Sequence, residues 1–259
     1  MCVKVREIYE ALDKIAPFDT AMDCDNVGLL VGDENAEVSG VVVSLDVTQE
    51  VIEEAVRKNA NLIISHHPVI FKPIKSCLIN DIPYMAIKNE VNIICAHTNL
   101  DFAERGVCRC LADVLGVKNL KSLGFYKKNG NNLPYGLIGE IEVEMSSKEF
   151  ASYVKRCLNC EGLRYTESKK SVKTVALCSG GAGEFIFEAI SKHVDAYVTG
   201  EIKHHEILEA VKNDITVVDA GHFNTEDIAM APLVCMLADL FKEVKFSKSE
   251  VLANYRKYI

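Results

Sequence analysis

A chain of 259 residues, 49% hydrophobic and 25% charged, has the composition of a globular protein that can bury a core of its own, and it excludes a disordered tail, a collagen or a coiled-coil rod. Against 37 Asp and Glu stand 29 Lys and Arg, a formal net charge of −8, which argues against a general nucleic-acid binder because that function needs a basic face. The same balance leaves room for an anionic small substrate, since a local metal site can override the global sign.

The opening stretch MCVKVREIYEALDKI carries Lys4, Arg6, Glu7 and Glu10 and so contains no apolar signal region. Within it Val5, Ile8, Tyr9, Leu12 and Ile15 recur at helical spacing. Residues 40–45 then predict a buried strand, 51–58 a helix, 61–65 a second strand, 84–89 a helix, 92–96 a third strand and 106–115 a helix. The polar, Asn- and Gly-rich stretch 126–133 reads as the boundary between two lobes, 1–125 and 126–259, with the C-terminal helix packing back on the first. Beyond it a strand is expected at 135–143, and Ser146-Ser-Lys-Glu149 is a capping box for a helix ending near Leu158. Strands at 174–178, 196–199 and 215–219 alternate with helices near 184–192, 203–212 and 225–240. The alternation predicts an α/β fold with mainly parallel sheets. The longest uncharged apolar run late in the chain, 228–238, is shorter than the ~20 residues that span a bilayer.

Ten cysteines without an export signal imply reduced thiols and a cytoplasmic location. Cys157-Leu-Asn-Cys160 and Cys108-Arg-Cys110 read as buried, inert thiols, because a single CxxC without a second pair is weak evidence for zinc or redox chemistry.

The histidines carry more information. Of seven, six follow predicted strands closely: His66 and His67, His97, His204 and His205, and His222; His193 lies late in a helix and reads as a surface residue. Ligands of parallel α/β sheets bind at the carboxyl ends of strands, and histidine is the commonest metal ligand near neutral pH. Asp101 lies four positions after His97, and Glu226 four after His222. With a helix starting near Asn224, Glu226 falls in its first turn, where it can interact with the helix dipole, bind metal, or do both. Imidazole with carboxylate suits Zn²⁺, Mn²⁺ or Fe²⁺ better than Ca²⁺. Three histidines and two carboxylates exceed what one open site needs and match two metals that share a carboxylate. Two such ions leave an excess positive charge that acidifies a bridging water and attracts an anionic substrate.

Asp25-Asn-Val-Gly-Leu29, Ser65-His-His-Pro-Val-Ile-Phe-Lys-Pro-Ile74, Ala96-His-Thr-Asn-Leu-Asp101, Thr199-Gly-Glu-Ile-Lys-His-His205 and Gly221-His-Phe-Asn-Thr-Glu226 resemble, in order, the motifs of the NIF-three-like dinuclear metal-centre family, whose members are often labelled GTP cyclohydrolase I type 2 homologs. The resemblance runs from the first helix to about residue 240. It implies two similar α/β lobes facing a central cleft, two divalent metal ions held by His66, His67, Asp101, His222 and Glu226, and a homohexamer. The chain is similar to the short form, without an inserted third domain. It departs from the family at Cys24, where Trp is usual, and it has no Trp at all, which puts local packing in question and not the ligand set.

Weaker signals surround that set. Ser179-Gly-Gly-Ala-Gly183 is a tight β–α turn or a phosphate-contacting loop. Lys72 and Lys75 steer a phosphate or are solvated, and Asp25 and Asn26 shape a cleft or a turn. His97 is expected to orient a ligand, and His204 or His205, at a helix start, to serve in acid/base chemistry or to lie on the surface. Catalytic roles are therefore assigned to Glu226, His97 and His205. The function expected is a dinuclear metal-dependent hydrolase of a small anionic molecule. If the family label holds, the reaction opens the imidazole ring of guanine in GTP and releases formate. A metal-binding or trafficking protein without turnover and a two-metal phosphoesterase are the alternatives.

Overall fold

The computed structural model describes residues 2–259, which form two compact units. The first comprises the chain up to Ala103 together with Ala229–Ala253, and the second comprises Glu104–Ile228 with Asn254–Ile259.

In chain order the first unit contains α1 (Val5–Ile15), β1 (Gly28–Val31), β2 (Val41–Ser44), α2 (Gln49–Arg57), β3 (Leu62–Ser65), α3 (Ile82–Lys88), β4 (Asn92–Cys95) and α4 (Thr98–Phe102). The second contains α5 (Val107–Val114), β5 (Lys118–Lys128), β6 (Asn131–Met145), α6 (Ser147–Cys157), β7 (Arg164–Tyr165), β8 (Val172–Leu177), α7 (Ile186–Ser191), β9 (Ala196–Thr199), α8 (His204–Lys212), β10 (Thr216–Asp219) and α9 (His222–Glu226). The chain then returns to the first unit as α10 (Met230–Leu240) and β11 (Phe246–Lys248).

The first sheet has the order β1-β4-β3-β2-β11. All its pairings are parallel except that of β1 with β4. Every residue of β2, β3 and β4 is buried, as expected of parallel strands covered on both faces, and this is why they read as unbroken apolar runs. Val42, Ile63 and Ile93 pack with Val51, Ile52 and Ala55 of α2 and Ala86 of α3. Helix α10 packs against β2 and α1, and its Met230, Leu233 and Leu237 are buried. The register Ser44↔Ser65↔Cys95 aligns the carboxyl ends of the three strands, so the residues that follow them emerge on one rim.

The second sheet has the order β5-β6-β8-β9-β10-β7. Strands β8, β9 and β10 form its parallel centre, and β5, β6 and β7 flank them in antiparallel pairings. Its core gathers Val175, Leu177, Tyr197, Val198 and Val218 with Phe150 and Val154 of α6. The Ser146 capping box opens α6 as the sequence predicts.

Two expectations need correction. The stretch 126–133 is the tip of the β5–β6 hairpin: Tyr126 pairs with Leu133 and Lys128 with Asn131. Asn129 and Gly130, both at positive φ, make the two-residue turn that this hairpin requires. Its polarity is that of solvated arms, and the chain passes between units at Ala103/Glu104 instead. The helix expected over 225–240 is broken. Helix α9 starts at His222 after Gly221 at φ 90°, a 3₁₀ turn spans Asp227–Ala229, and α10 begins at Met230. Glu226 is therefore the last residue of a short helix and not a first-turn cap.

Candidate metal centre

The bends after β2, β3 and β4 carry the polar groups of the first unit. Ser65 Oγ donates to the His67 carbonyl at 2.9 Å and the Cys95 thiol to the His66 carbonyl at 3.1 Å, which fixes the backbone at the turn. The buried His66 ring donates Nδ1–H to the Ala96 carbonyl at 2.9 Å. His67 Nδ1 lies 2.7 Å from Asp46 Oδ1, and His97 Nδ1 lies 2.9 Å from Asp25 Oδ1. A carbonyl or carboxylate as the Nδ1 partner puts the proton on Nδ1 and leaves the lone pair on Nε2, the form in which imidazole ligates metal. The three rings stand 5.2, 5.1 and 5.6 Å apart, and one nitrogen from each lies within 4.8 Å of the other two, so the group could hold a metal ion. Asp101 Oδ1 lies 3.7 Å from His66 Nε2.

The remaining letters of the His97–Asp101 motif build its frame. His97 is the N-cap residue of α4, and Asp101 follows one turn later. Thr98 donates both its backbone N–H, at 3.1 Å, and its hydroxyl, at 2.5 Å, to Asp25 Oδ2. Asn99 Nδ2 donates to the Ala16 carbonyl at 2.7 Å. Burial raises the pKa of Asp25, but the hydrogen bonds from His97 and Thr98 outweigh it and hold the carboxyl well below the usual range. An ionised, enclosed carboxylate therefore anchors the His97 ring.

In the second unit two glycines, Gly180 and Gly200, let three loops touch. At Gly200 an added Cβ would lie 2.6 Å from Thr225 Oγ1 and 2.8 Å from both the Gly180 carbonyl and the His222 Cα. Gly200 N–H donates to the Gly180 carbonyl at 3.0 Å, and Gly180 N–H to Thr225 Oγ1 at 3.0 Å. Gly180, at φ +65°, leaves the space above its Cα to the Glu226 carboxylate. The glycine-rich turn thus cradles a carboxylate of its own unit. His222 Nε2 lies 3.0 Å from Glu226 Oε2, and His222 Nδ1 lies 3.6 Å from Glu201 Oε1. Helical i, i+4 spacing sets imidazole and carboxylate side by side, as two ligands of one cation would stand.

Within each unit an imidazole stands beside a carboxylate, His66 by Asp101 in the first and His222 by Glu226 in the second, a donor chemistry that suits a transition-metal ion such as Zn²⁺, Mn²⁺ or Fe²⁺. Asp46, which sequence reasoning missed, is the residue that fixes His67; its signal was an acidic residue at the end of a buried strand. His204 and His205 open α8 and are exposed, with His205 Nε2 3.9 Å from Glu206 Oε1. Neither joins a group of three close donor atoms among the described residues. His193 is exposed just beyond α7, at φ +55°, rather than inside a helix. Lys72 and Lys75 lie in an exposed loop, and Cys24 is also exposed. Cys108 and Cys160 are buried, while Cys110 and Cys157 are only partly so. No helix among the described residues is long and apolar enough to cross a membrane.

Comparison with known proteins matches the profile of Duf34/NIF3 (NGG1p interacting factor 3) over residues 3–254. A Clostridium acetobutylicum protein named GTP cyclohydrolase 1 type 2 homolog is 35% identical over 231 residues, covering 87% of this chain and 86% of the relative. A Campylobacter jejuni protein of the same name is 34% identical, covering 86% and 88%. The crystal structure of Staphylococcus aureus protein SA1388 is similar with a TM-score of 0.92 and 29% identity, covering 99% of each chain. A Bacillus cereus protein related to NIF3 shares the fold with a TM-score of 0.93 at 24% identity, covering 100% of this chain and 99% of that one.

Proposed function

We propose that this chain, which belongs to the Duf34/NIF3 (NGG1p interacting factor 3) family, is a dinuclear metal-dependent hydrolase of a small anionic molecule. The ligands in this reading are His66, His67, Asp101, His222 and Glu226, with two divalent ions of the zinc, manganese or iron type. The observation that carries it is the donor group of His66, His67 and His97, in which an acceptor on each Nδ1 keeps the other nitrogen ready to ligate. The name shared by the two relatives makes GTP the first substrate to try, with hydrolysis at the guanine imidazole carbon and release of formate.

Metal ions bound there supply Lewis acidity, which lowers the pKa of water and polarises an electrophilic carbon or phosphorus. The chain's own residues do the rest. Asp46 and the Ala96 carbonyl keep the His67 and His66 rings in one tautomer and one orientation. Asp25 holds His97 with a carboxylate that stays ionised through the working pH range. In this reading Glu226 is a ligand and holds a proton during turnover, supported by its enclosure against Gly180 and its pairing with His222.

The test is elemental analysis of the purified protein, paired with a turnover screen on the same preparation. About two equivalents of transition metal per chain and formate release from GTP are expected. A full metal complement with silence across nucleotides and phosphoesters overturns the hydrolase and leaves a metal-binding or trafficking protein. Turnover of phosphoesters alone makes it a two-metal phosphoesterase. A homohexamer belongs to the same reading, and light scattering on that preparation measures it.

A further inference from the structure

Residues 254–259 leave the first unit and lie on the second, against the loops that carry His222. Asn254 Nδ2 donates to Asn224 Oδ1, inside α9, at 2.9 Å. The Tyr258 ring lies on the Gly162 backbone, where an added Cβ would collide with it, and its hydroxyl comes within 4.0 Å of where a Cβ on Gly221 would stand. Arg256 Nη2 donates to Glu201 Oε1 at 2.5 Å. That same oxygen faces His222 Nδ1 at 3.6 Å. Arg256, Tyr258 and Glu201 also wall a cavity of about 510 Å³, together with Leu163, Arg164 and Lys203.

We propose that Arg256 is a positioning residue for His222, acting through Glu201. A separation of 3.6 Å is too long for a hydrogen bond, so the carboxylate acts on the ring through its charge and its place. In this structure Nε2–H donates to Glu226 Oε2 at 3.0 Å. A cation taken up between those two atoms would require the lone pair on Nε2, and the carboxylate beside Nδ1 would then favour the tautomer with the proton on Nδ1. Glu201 is half exposed and follows Gly200 in an irregular segment, so its rotamer is set by what grips it. The guanidinium of Arg256 is that grip: a charge-assisted bond from a fixed planar donor holds the oxygen in one direction. Lys257 sits one residue on and pairs instead with Glu161, at 3.7 Å between two exposed groups.

This inference rests on the metal reading, and the experiment separates the two. The full-length protein is stripped with chelator and titrated with Co²⁺, read both by chelator competition and by the visible absorption bands of the bound ion. Arg256→Ala is expected to weaken Co²⁺ binding about tenfold and to change the band positions, in the range seen when a partner behind a metal ligand is removed. Arg256→Lys should recover part of the affinity, because it keeps the charge but loses the planar fork. Lys257→Ala should match the wild type. Glu201→Gln should weaken binding as well, and the double variant Glu201→Gln/Arg256→Ala should bind no more weakly than Glu201→Gln alone. The metal-free melting temperature of Arg256→Ala should stay within about 2 °C of wild type, since the pair is half exposed. Failure of the wild type to take up Co²⁺ overturns the metal reading and this inference with it. Wild-type uptake with an unchanged affinity and spectrum in Arg256→Ala, or additive losses in the double variant, overturns this inference alone.

Discussion

Gly180 shows how much one missing methylene can decide. Its φ of +65° is a conformation that L side chains rarely adopt, and the space a Cβ would fill is taken by the Glu226 carboxylate. Gly180→Ala must displace that carboxylate and strain the turn, at a cost of about 1–2 kcal/mol. We expect metal affinity to fall at least about tenfold, measured by chelator competition, while circular dichroism still reports a folded chain. Asp46 poses the opposite case, a partly exposed carboxylate whose contribution is direction rather than burial. Asp46→Asn removes the anionic acceptor from His67 Nδ1 and should weaken metal binding about 10–100-fold. The melting temperature of the metal-free protein should hardly move. His205→Ala is the contrast: the ring is exposed on α8, and both metal binding and stability should stay near wild type, within about 0.5 kcal/mol. A large loss of turnover in His205→Ala, with metal binding intact, would support the acid/base role expected from its place at a helix start.

Among the elements, the contact that ties the segment after β11 to α2 is set by Glu54. Its buried carboxylate accepts Ser249 Oγ at 2.6 Å and the Glu250 N–H at 2.9 Å, and pairs with Lys58 Nζ at 2.8 Å. Burial raises the Glu54 pKa, but the bonds from Lys58, Ser249 and Glu250 outweigh it, and the carboxyl ends below its ordinary value. A depressed folded value means that the stabilisation is complete above the unfolded pKa, about 4.3, and is lost as pH falls through the lower folded value. Glu54→Gln should cost about 2 kcal/mol at pH 7, and the gap to wild type should close as pH drops below about 4, which thermal melts across pH would follow. A gap that stays constant to pH 3 would show that shape, not charge, holds the contact. At this scale the sequence is legible where burial is two-sided. VVVS, LIIS and NIIC announce β2, β3 and β4, and the histidines after β3 and β4 mark their ends. It is illegible where strands are solvated or short. The arms of β5 mix Lys with Leu and Phe, and β7 is a two-residue pairing that local sequence does not specify. The Asn129-Gly130 hairpin signal is present, but polar flanks make it resemble a linker. The motif histidines are readable because chemistry restricts their type. Asp46 and Arg256 are not, because a carboxylate or guanidinium that acts through a neighbour looks like any surface charge until the chain is folded.

For the molecule as a whole, the path of the chain matters. The first unit is completed by residues that come after the second: β11 pairs in parallel with β2, and α10 buries Met230, Leu233 and Leu237 in the first unit. A chain stopped at Ile228 bares the β2 edge and loses three buried side chains, each contributing about 1.5–3 kcal/mol. Such a truncation should bind a hydrophobic dye and elute as an aggregate by gel filtration, whereas a monodisperse product would show that α10 and β11 are dispensable. Metal binding acts on the whole chain through linkage. A net charge of −8 favours cations over the surface at large, but only a defined site saturates at low concentration. A ligand held by the folded state alone stabilises it by about 2.7 kcal/mol at a hundredfold excess over its dissociation constant. For a chain of this size that is about 5–10 °C in melting temperature. We expect Zn²⁺ or Mn²⁺ to raise the melting temperature of stripped protein by that amount and Mg²⁺ to leave it nearly unchanged, because imidazole ligands select against the harder ion. His222→Ala should abolish most of the shift while leaving the metal-free melting temperature close to wild type, since the ring is partly exposed. An equal shift from Zn²⁺ and Mg²⁺, or one that survives His222→Ala, would mean that the cations act on surface carboxylates and not on the histidines.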